Sequence, residues 1–340
     1  MIIEELVQDT VRELENEFYS DKFRFSYSSL KKLLFSPVAF YNTYVMKQRD
    51  ETKESHLIIG SLIHCLLLDK ESFDKQFVIS PYKLPTAQIK TLLDKLYYRN
   101  KLLLKHNNLK LTDFKDNILS ILKEMEYFQS LKIDKDRLKK VITFENESYF
   151  QYLSAKYKKE VVDYETLKYC NDSVDIIRSY PEIVELLGLD DDELDNSEVF
   201  NEYYIEGELP LFPFGVKGII DNLKIDHNKK TITINDFKTS GKTLKDFKDT
   251  VEFYSYWMQA AVYLIMVLQK YAHLIHKGYT YHFNFIVIDK YLNVYAFPVS
   301  YETQIDWFTR LDQSLEIAKY HIENKRFELP YEFDIKSVIL

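Results

Sequence analysis

Cysteine and glycine are scarce in this sequence, and each scarcity excludes a class of protein. The 340 residues include only two cysteines, Cys65 and Cys170, which lie far apart along the chain. Two thiols cannot supply the four ligands of a structural zinc or iron–sulfur site, and they indicate no disulfide framework. With only seven glycines, a glycine-rich or low-complexity architecture is excluded as well.

The sequence also lacks a long apolar run and an excess of positive charge. No uncharged run approaches the ~20 residues that span a bilayer, and the opening MIIEELVQDT contains no apolar signal core. We therefore expect a reducing, cytoplasmic compartment and no membrane partner. The formal net charge of -8 gives no general attraction to nucleic acid, so DNA would have to bind in a locally basic channel.

What the sequence does contain is a large apolar fraction with two successive periodicities. Hydrophobic residues make up 46% of the chain, enough for a substantial core. Helical spacing dominates the first half, and period-two alternation appears after it. The predicted helices cover residues 3–18, a segment starting after Ser26 or Ser28 and interrupted at Ser36-Pro37, a buried stretch 54–69, much of 83–187, 251–271 and 305–322. The predicted strands cover residues 199–209, 216–226, 231–237, 281–289 and 293–299.

This order predicts an α/β fold with a mixed central sheet flanked by helices and a large helical insertion. We expect one domain over residues 1–340. Its parts are N-terminal helices at 25–70, the helical insertion at 80–198, the sheet core at 199–300, and a C-terminal helix and tail at 301–340.

The stretch GIIDNLKIDHNKKTITINDFKTS, from Gly218 to Ser240, places charged residues inside two apolar strands. A symmetric hairpin centred on the turn HNKK pairs positions whose numbers sum to 457, so Asp221 would lie opposite Asp236. Such neighbours have Cβ atoms about 4.5–5.5 Å apart. The period of two puts Lys238 on the same face as Asp236.

Three explanations fit this arrangement. Asp236 and Lys238 form a surface ion pair with Asp221 solvated, the two carboxylates share a proton, or a divalent cation lies between them. The flanking isoleucines favour an interior position, where oxygen ligands suit Mg²⁺ or Mn²⁺. Lys238 could then hold or deprotonate a water, or stabilise charge on a phosphate. Because like charges repel, Asp236→Asn is expected to stabilise the metal-free protein.

An aspartate followed on the next strand by D-x-K resembles the PD-(D/E)xK nuclease superfamily. Here Ile220 stands where the motif has proline before Asp221. Two further motifs, GSLIH at 60–64 and WMQAAVY at 257–263, also resemble motifs of this superfamily. Together with the opening SYSSLKKLLFSPVAFYNTYV they are similar to the RecB/RecE-like branch, which includes phage or prophage-type exonucleases.

The resemblance implies roles for seven residues. The metal ligands would be His64, Asp221, Asp236 and the backbone carbonyl of Phe237. Lys238 would be the catalytic lysine, and Gln259 and Tyr263 would bind the substrate. Each motif also has a simpler interpretation: a lone histidine on an apolar helix is usually a packed core residue, and Gln259 and Tyr263, which share one helix face, often only pack.

The resemblance also implies a function. It indicates a restriction-endonuclease-like core that hydrolyses DNA with Mg²⁺ or Mn²⁺, digesting duplex ends from 5′ to 3′ and leaving single strands for recombination. We expect a homo-oligomeric ring, a single-strand annealing protein as partner, and a bacterial or phage-infected host cell. The alternatives are an endonuclease or a repair or defence nuclease of the same fold, or a catalytically silent DNA-binding member.

Other charged patterns in the sheet region have simpler interpretations. The segment SGKT at 240–243 resembles the end of a P-loop, but the required glycine five residues before Gly241 is Asp236. The lysines at 242, 245 and 248 are expected to form a solvated basic face, with contact to substrate phosphates as the alternative. Glu206 and Glu208 are expected to be strand-surface charges, with auxiliary acids as the alternative.

Overall fold

The computed structural model describes residues 2–20, 23–48, 55–106, 109–156, 158–189, 196–210 and 212–338. The chain divides into two compact units. The first combines Met1–Lys53 with Asp175–Leu340, and the second is Glu54–Val174. The boundary at 174/175 falls inside a helix.

The described helices and strands follow one another in the order predicted, with additions. The helices are α1 (Ile2–Tyr19), α2 (Tyr27–Phe35), α3 (Pro37–Phe40), α4 (Ser55–Leu68), α5 (Phe73–Gln76), α6 (Ala87–His106), α7 (Lys115–Glu124), α8 (Asp134–Val141), α9 (Phe144–Ala155), α10 (Tyr164–Arg178), α11 (Pro181–Leu187), α12 (Phe247–Phe253), α13 (Tyr256–Lys270), α14 (Ala272–Ile275), α15 (Tyr301–Asn324) and α16 (Tyr331–Asp334). The strands are β1 (Phe77–Ile79), β2 (Glu160–Val162), β3 (Ser197–Glu208), β4 (Gly215–Asp226), β5 (Thr231–Ser240), β6 (Thr280–Asp289) and β7 (Val294–Pro298).

The first unit is built on a five-stranded mixed sheet of order β3-β4-β5-β6-β7. All neighbours are antiparallel except β5 and β6, which are parallel. A parallel pair needs a crossover connection, and here α12, α13 and α14 supply it. Helix α13 is apolar on most of its faces and packs on β3 and on α15. The predicted fold class, a mixed sheet flanked by helices with a large helical insertion, is confirmed.

Local sequence signals fix the N-terminal helices. The Ser26 side chain accepts a hydrogen bond from the Ser29 amide at 3.2 Å, and the Ser29 hydroxyl accepts one from the Ser26 amide at 2.8 Å. This reciprocal cap begins α2 and selects Ser26 over Ser28. Helix α3 then starts at Pro37, where the missing amide proton costs no helical hydrogen bond.

The second unit is mainly helical, with a core formed largely by α6, α7 and α9. It also contains a two-stranded parallel sheet, in which Phe77 pairs with Glu160 and Ile79 with Val162. The helical interpretation of residues 83–187 omitted β2, because a three-residue strand is too short to show period-two alternation. Helix α4 confirms the predicted buried helix over 54–69, of which residue 54 lies outside the described residues.

The single long helix predicted over 251–271 is wrong. The structure has two helices, α12 and α13, separated at Ser255, whose φ of 58° is left-handed. No glycine or proline marks this break, and apolar periodicity continues across it. Within the described ranges no single helix is long and apolar enough to span a membrane; only the pair Leu244–Phe253 and Tyr256–Lys270 meets that test jointly, across a 76° bend.

Candidate active site

The hairpin between β4 and β5 has the predicted register. Asn222 pairs with Asn235 and Asp226 with Thr231, so paired numbers sum to 457. The backbone ladder ends one step before Asp221. There Oδ2 of Asp221 accepts a hydrogen bond from the Phe237 amide at 2.7 Å. A side-chain carboxylate therefore takes the place of the next ladder bond and fixes Asp221 against the D-x-K segment.

A row of asparagine side chains crosses four strands beside this point. Asn222 donates to Asn201 at 2.8 Å, Asn235 donates to Asn222 at 2.8 Å, and Asn284 donates to Asn235 at 3.0 Å. Asn222 and Asn235 also donate to two carbonyls at the C-terminal end of α11. A one-residue slip would separate these partners, so the row holds the register that places Asp221 and Asp236.

Regular strand alternation is interrupted at Asp221. Val216 and Ile220 lie in the core before it, and Leu223 and Ile225 lie in the core after it. The inward-facing positions thus shift from even to odd numbers across Asp221. An interruption of this kind redirects side chains, as β-bulges do beside active sites.

Glu202 is the site residue that the sequence did not reveal. Its neighbours on β3 pair with the two residues flanking Asp221, so Glu202 lies opposite Asp221. Its φ of 47° is left-handed, which is uncommon for a residue other than glycine. One carboxylate oxygen of Glu202 and one of Asp221 lie within 4.8 Å of each other. Two carboxylates this close repel each other. Their hard oxygen donors fit a Mg²⁺ or Mn²⁺ ion.

Asp236 and Lys238 form a buried ion pair rather than a surface one. Nζ of Lys238 contacts Oδ2 of Asp236, with the side chains 13% and 1% exposed, and lies 4.8 Å from the centroid of the Tyr256 ring. Burial acts to lower the pKa of Lys238, but the charges of Asp236 and Asp221 outweigh it and raise the pKa. Lys238 is therefore an ammonium in the metal-free protein.

This ion pair bears on two interpretations of the sequence. A surface pair with Asp221 solvated is wrong, because Asp221 is only 8% exposed. Because removing the charge of Asp236 would take the paired carboxylate away from a buried ammonium, we expect Asp236→Asn to destabilise the metal-free protein, opposite to the expectation from repulsion, which stays a prediction.

Gln259 and Tyr263 lie beside the carboxylates. Nε2 of Gln259 donates to the Tyr263 hydroxyl at 3.1 Å. Burial, and then the charges of Asp236 and Asp221, raise the pKa of Tyr263, so its hydroxyl stays neutral. Gly218 permits this approach: a Cβ there would lie 2.5 Å from Cε1 of Tyr263.

The remaining predicted residues are placed as follows. His64 is half-buried on α4 in the second unit, and its role as a ligand stays a prediction. Phe237 is buried. Its amide donates a hydrogen bond to Asp221, and the role of its carbonyl as a metal ligand stays a prediction. Glu206 and Glu208 pair with Arg24 at the surface, as strand-surface charges should.

Comparison with known proteins gives one family. A sequence model described as the PD-(D/E)XK nuclease superfamily matches residues 24–316. Among solved structures, a protein from Eubacterium rectale provisionally described as an exonuclease is similar, with 13% identity and a TM-score of 0.47, covering 95% of this chain and 91% of the other. No protein with a curated description matches significantly.

Proposed function

Because the chain belongs to the PD-(D/E)XK nuclease superfamily, we propose that it is a Mg²⁺- or Mn²⁺-dependent deoxyribonuclease acting at the site on β3, β4 and β5. The observation that carries the proposal is the combination of two features in one unit. Glu202 and Asp221 bring two carboxylate oxygens within 4.8 Å, and the next strand adds the buried pair of Asp236 and Lys238. A strand-surface ion pair would need neither the carboxylate pair nor the burial.

The proposed metal ligands are Glu202, Asp221 and Asp236, with His64 and the Phe237 carbonyl completing the set. When bound, the metal would supply Lewis-acid stabilisation of the phosphate and a water of lowered pKa. The fit rests on the chemistry of the carboxylate and carbonyl donors, since oxygen ligands suit Mg²⁺ or Mn²⁺.

The roles proposed for Lys238, Gln259 and Tyr263 need no proton transfer. As an ammonium, Lys238 would hold the attacking water by a hydrogen bond or offset negative charge on the scissile phosphate. The neutral hydroxyl of Tyr263 and the amide of Gln259 would donate to backbone oxygens of the substrate strand. Both groups lie on α13, an ordered helix packed in the core, so they would hold the phosphate in a fixed position.

We further propose that the enzyme is a 5′-to-3′ double-strand exonuclease that makes single strands for recombination. This step rests on the motif resemblance to the RecB/RecE-like branch, as do a ring-shaped homo-oligomer and a single-strand annealing protein as partner. Light scattering after size-exclusion chromatography would test the ring, and a monomeric mass would refute it.

The decisive experiment is digestion of linear duplex DNA labelled at the 5′ or the 3′ end, with closed circular DNA in parallel. Cleavage is expected with Mg²⁺ and not with EDTA, and Lys238→Ala should abolish it. Lys319→Ala, which removes a lysine paired with Glu323 on α15, is the matched control and should cleave normally. Digestion of the circle would indicate an endonuclease, and absence of all cleavage by the unaltered protein would refute catalysis.

His64→Ala tests the ligand set separately. If His64 is a ligand, calorimetric titration should show Mg²⁺ affinity reduced by at least about 10-fold, since losing even an outer-shell partner of a metal ligand costs about 10- to 100-fold. Unchanged affinity together with a lower melting temperature would identify His64 as a packed core residue.

A further inference from the structure

Two aromatic side chains lie exposed at the break between α12 and α13. Phe253 is 73% exposed and Tyr254 is 43% exposed. Their rings meet edge to face, with centroids 5.0 Å apart and an interplanar angle of 87°. Rings of this size dominate core and interface energetics when they are buried. A ligand that covers an exposed pair beside the proposed catalytic site would therefore gain binding energy from them.

Two lysines flank these rings. Nζ of Lys31, on α2, lies 5.4 Å from the Tyr254 centroid, and Nζ of Lys242 lies 5.9 Å from the Phe253 centroid. The neighbouring acid, Glu252, is paired with Arg310. The two lysines can therefore offer positive charge to a phosphate backbone.

The exposed rings are linked to Lys238, the proposed catalytic lysine, through the ring of Tyr256. Tyr254 stacks on Tyr256 with centroids 5.5 Å apart and an interplanar angle of 22°. The ring of Tyr256 in turn lies 4.8 Å from Nζ of Lys238. A planar group stacked on Phe253 or Tyr254 would thus lie next to a bound DNA strand whose phosphate contacts Lys238.

The break that exposes the rings is fixed in position. Nζ of Lys31 donates to the Tyr254 carbonyl at 2.8 Å, and the hydroxyl of Tyr27 donates to the same oxygen. Both donors come from α2. A carbonyl held by two side chains, next to Ser255 in a left-handed conformation, gives a preformed surface, which reduces the ordering cost of binding.

We propose that Phe253 and Tyr254 form a stacking platform for an unpaired nucleobase of the DNA strand entering the active site, with Lys31 and Lys242 contacting the adjacent phosphates. The proposal rests on the proposed nuclease function and adds a substrate class to it: single-stranded or frayed ends. Aromatic stacking is available to any base, because every base has a π-face, so the platform recognises unpaired DNA without reading its sequence. Bases inside an intact duplex are already stacked on each other and cannot use it.

Phe253→Ala is the sharpest test, because Tyr254 and Tyr256 separate Phe253 from Lys238. Binding is measured in EDTA by fluorescence anisotropy with three probes: a short labelled oligothymidylate, the same oligonucleotide with abasic sites, and a blunt duplex. Phe253→Ala should weaken oligothymidylate binding by about 5- to 150-fold. It should leave binding of the abasic strand and of the blunt duplex unchanged.

Two further variants control for general effects. Phe253→Trp keeps a stacking face and should retain oligothymidylate affinity. Tyr301→Ala removes another exposed aromatic ring, which contacts Tyr281 near the start of β6, and it should change none of the three affinities. Equal melting temperatures for all variants establish that the fold is intact.

Two outcomes would overturn the platform. These are unchanged oligothymidylate affinity in Phe253→Ala, or an equal loss on the abasic strand and the duplex. If the unaltered protein cleaves linear DNA with Mg²⁺ while either result is obtained, the platform is wrong and the nuclease function stands. If the unaltered protein neither binds nor cleaves DNA, the nuclease function fails and the platform fails with it.

Discussion

Replacing Asn235 with alanine should destabilise the sheet-bearing unit by about 2–6 kcal/mol. The Asn235 side chain takes part in three hydrogen bonds: it donates to Asn222 at 2.8 Å and to the Leu186 carbonyl at 3.0 Å, and it accepts from Asn284 at 3.0 Å. Asn222 and Asn235 are 0% and 1% exposed. Truncation removes a partner from at least two buried polar atoms, and each such loss costs about 1–3 kcal/mol.

Urea unfolding followed by tryptophan fluorescence measures this loss of stability in the sheet-bearing unit. The chain has two tryptophans, and both Trp257 and Trp307 lie in the core of the sheet-bearing unit. Asn324→Ala is the matched control, since its side chain makes one hydrogen bond, to the Tyr320 carbonyl, on the exposed end of α15. That substitution should change stability by no more than about 0.5 kcal/mol.

A decrease in the free energy of unfolding below about 1 kcal/mol for Asn235→Ala would refute the reasoning. Even one buried polar group without its partner should cost at least about 1 kcal/mol. The double variant Asn222→Ala/Asn235→Ala supplies a second criterion. Residues in one hydrogen-bond network couple by about 0.5–3 kcal/mol. Strict additivity of the two single losses would show that the asparagine row does not act as a unit.

Three further substitutions test the site itself. Glu202→Gln should weaken Mg²⁺ binding by at least about 10-fold in calorimetric titration, the lower end of the loss for outer-shell partners, and unchanged affinity would remove Glu202 from the ligand set. Gly218→Ala should force Tyr263 to move, costing about 1–3 kcal/mol of stability in urea unfolding and lowering DNA cleavage; full activity would exclude Tyr263 from substrate positioning. Asp236→Asn should destabilise the metal-free protein by about 3–5 kcal/mol, since it removes the charge of the carboxylate that pairs with the buried Lys238 ammonium; increased stability would support the repulsion argument.

Much of the catalytic hairpin could be predicted because its determinants are local. The turn HNKK joins two adjacent strands, and a symmetric turn together with period two fixes which residues face each other. The register that pairs Asn222 with Asn235 follows from the sequence alone. The end of α2 before Pro37 was predicted in the same way, and its start was narrowed to Ser26 or Ser28, because these signals lie within a few residues of their effect.

Features that depend on distant segments could not be predicted. Glu202 is one of several acids on β3, and its position opposite Asp221 depends on how β3 pairs with β4 across a longer connection. The left-handed Ser255 that ends α12 lies in a sequence whose apolar spacing is uninterrupted. The Tyr254 carbonyl beside it accepts hydrogen bonds from Lys31 and Tyr27, which lie more than 200 residues earlier in the chain.

The sequence by itself determined the fold class and the order of most elements, and it placed Asp221, Asp236 and Lys238 on two adjoining strands, because periodicity and turn chemistry act between near neighbours. Only the tertiary structure decided that Asp236 and Lys238 form a buried pair, that Glu202 joins Asp221, and that Phe253 and Tyr254 stand exposed beside Lys31. Burial and long-range charge proximity are properties of packed surfaces, which no local pattern in the chain encodes.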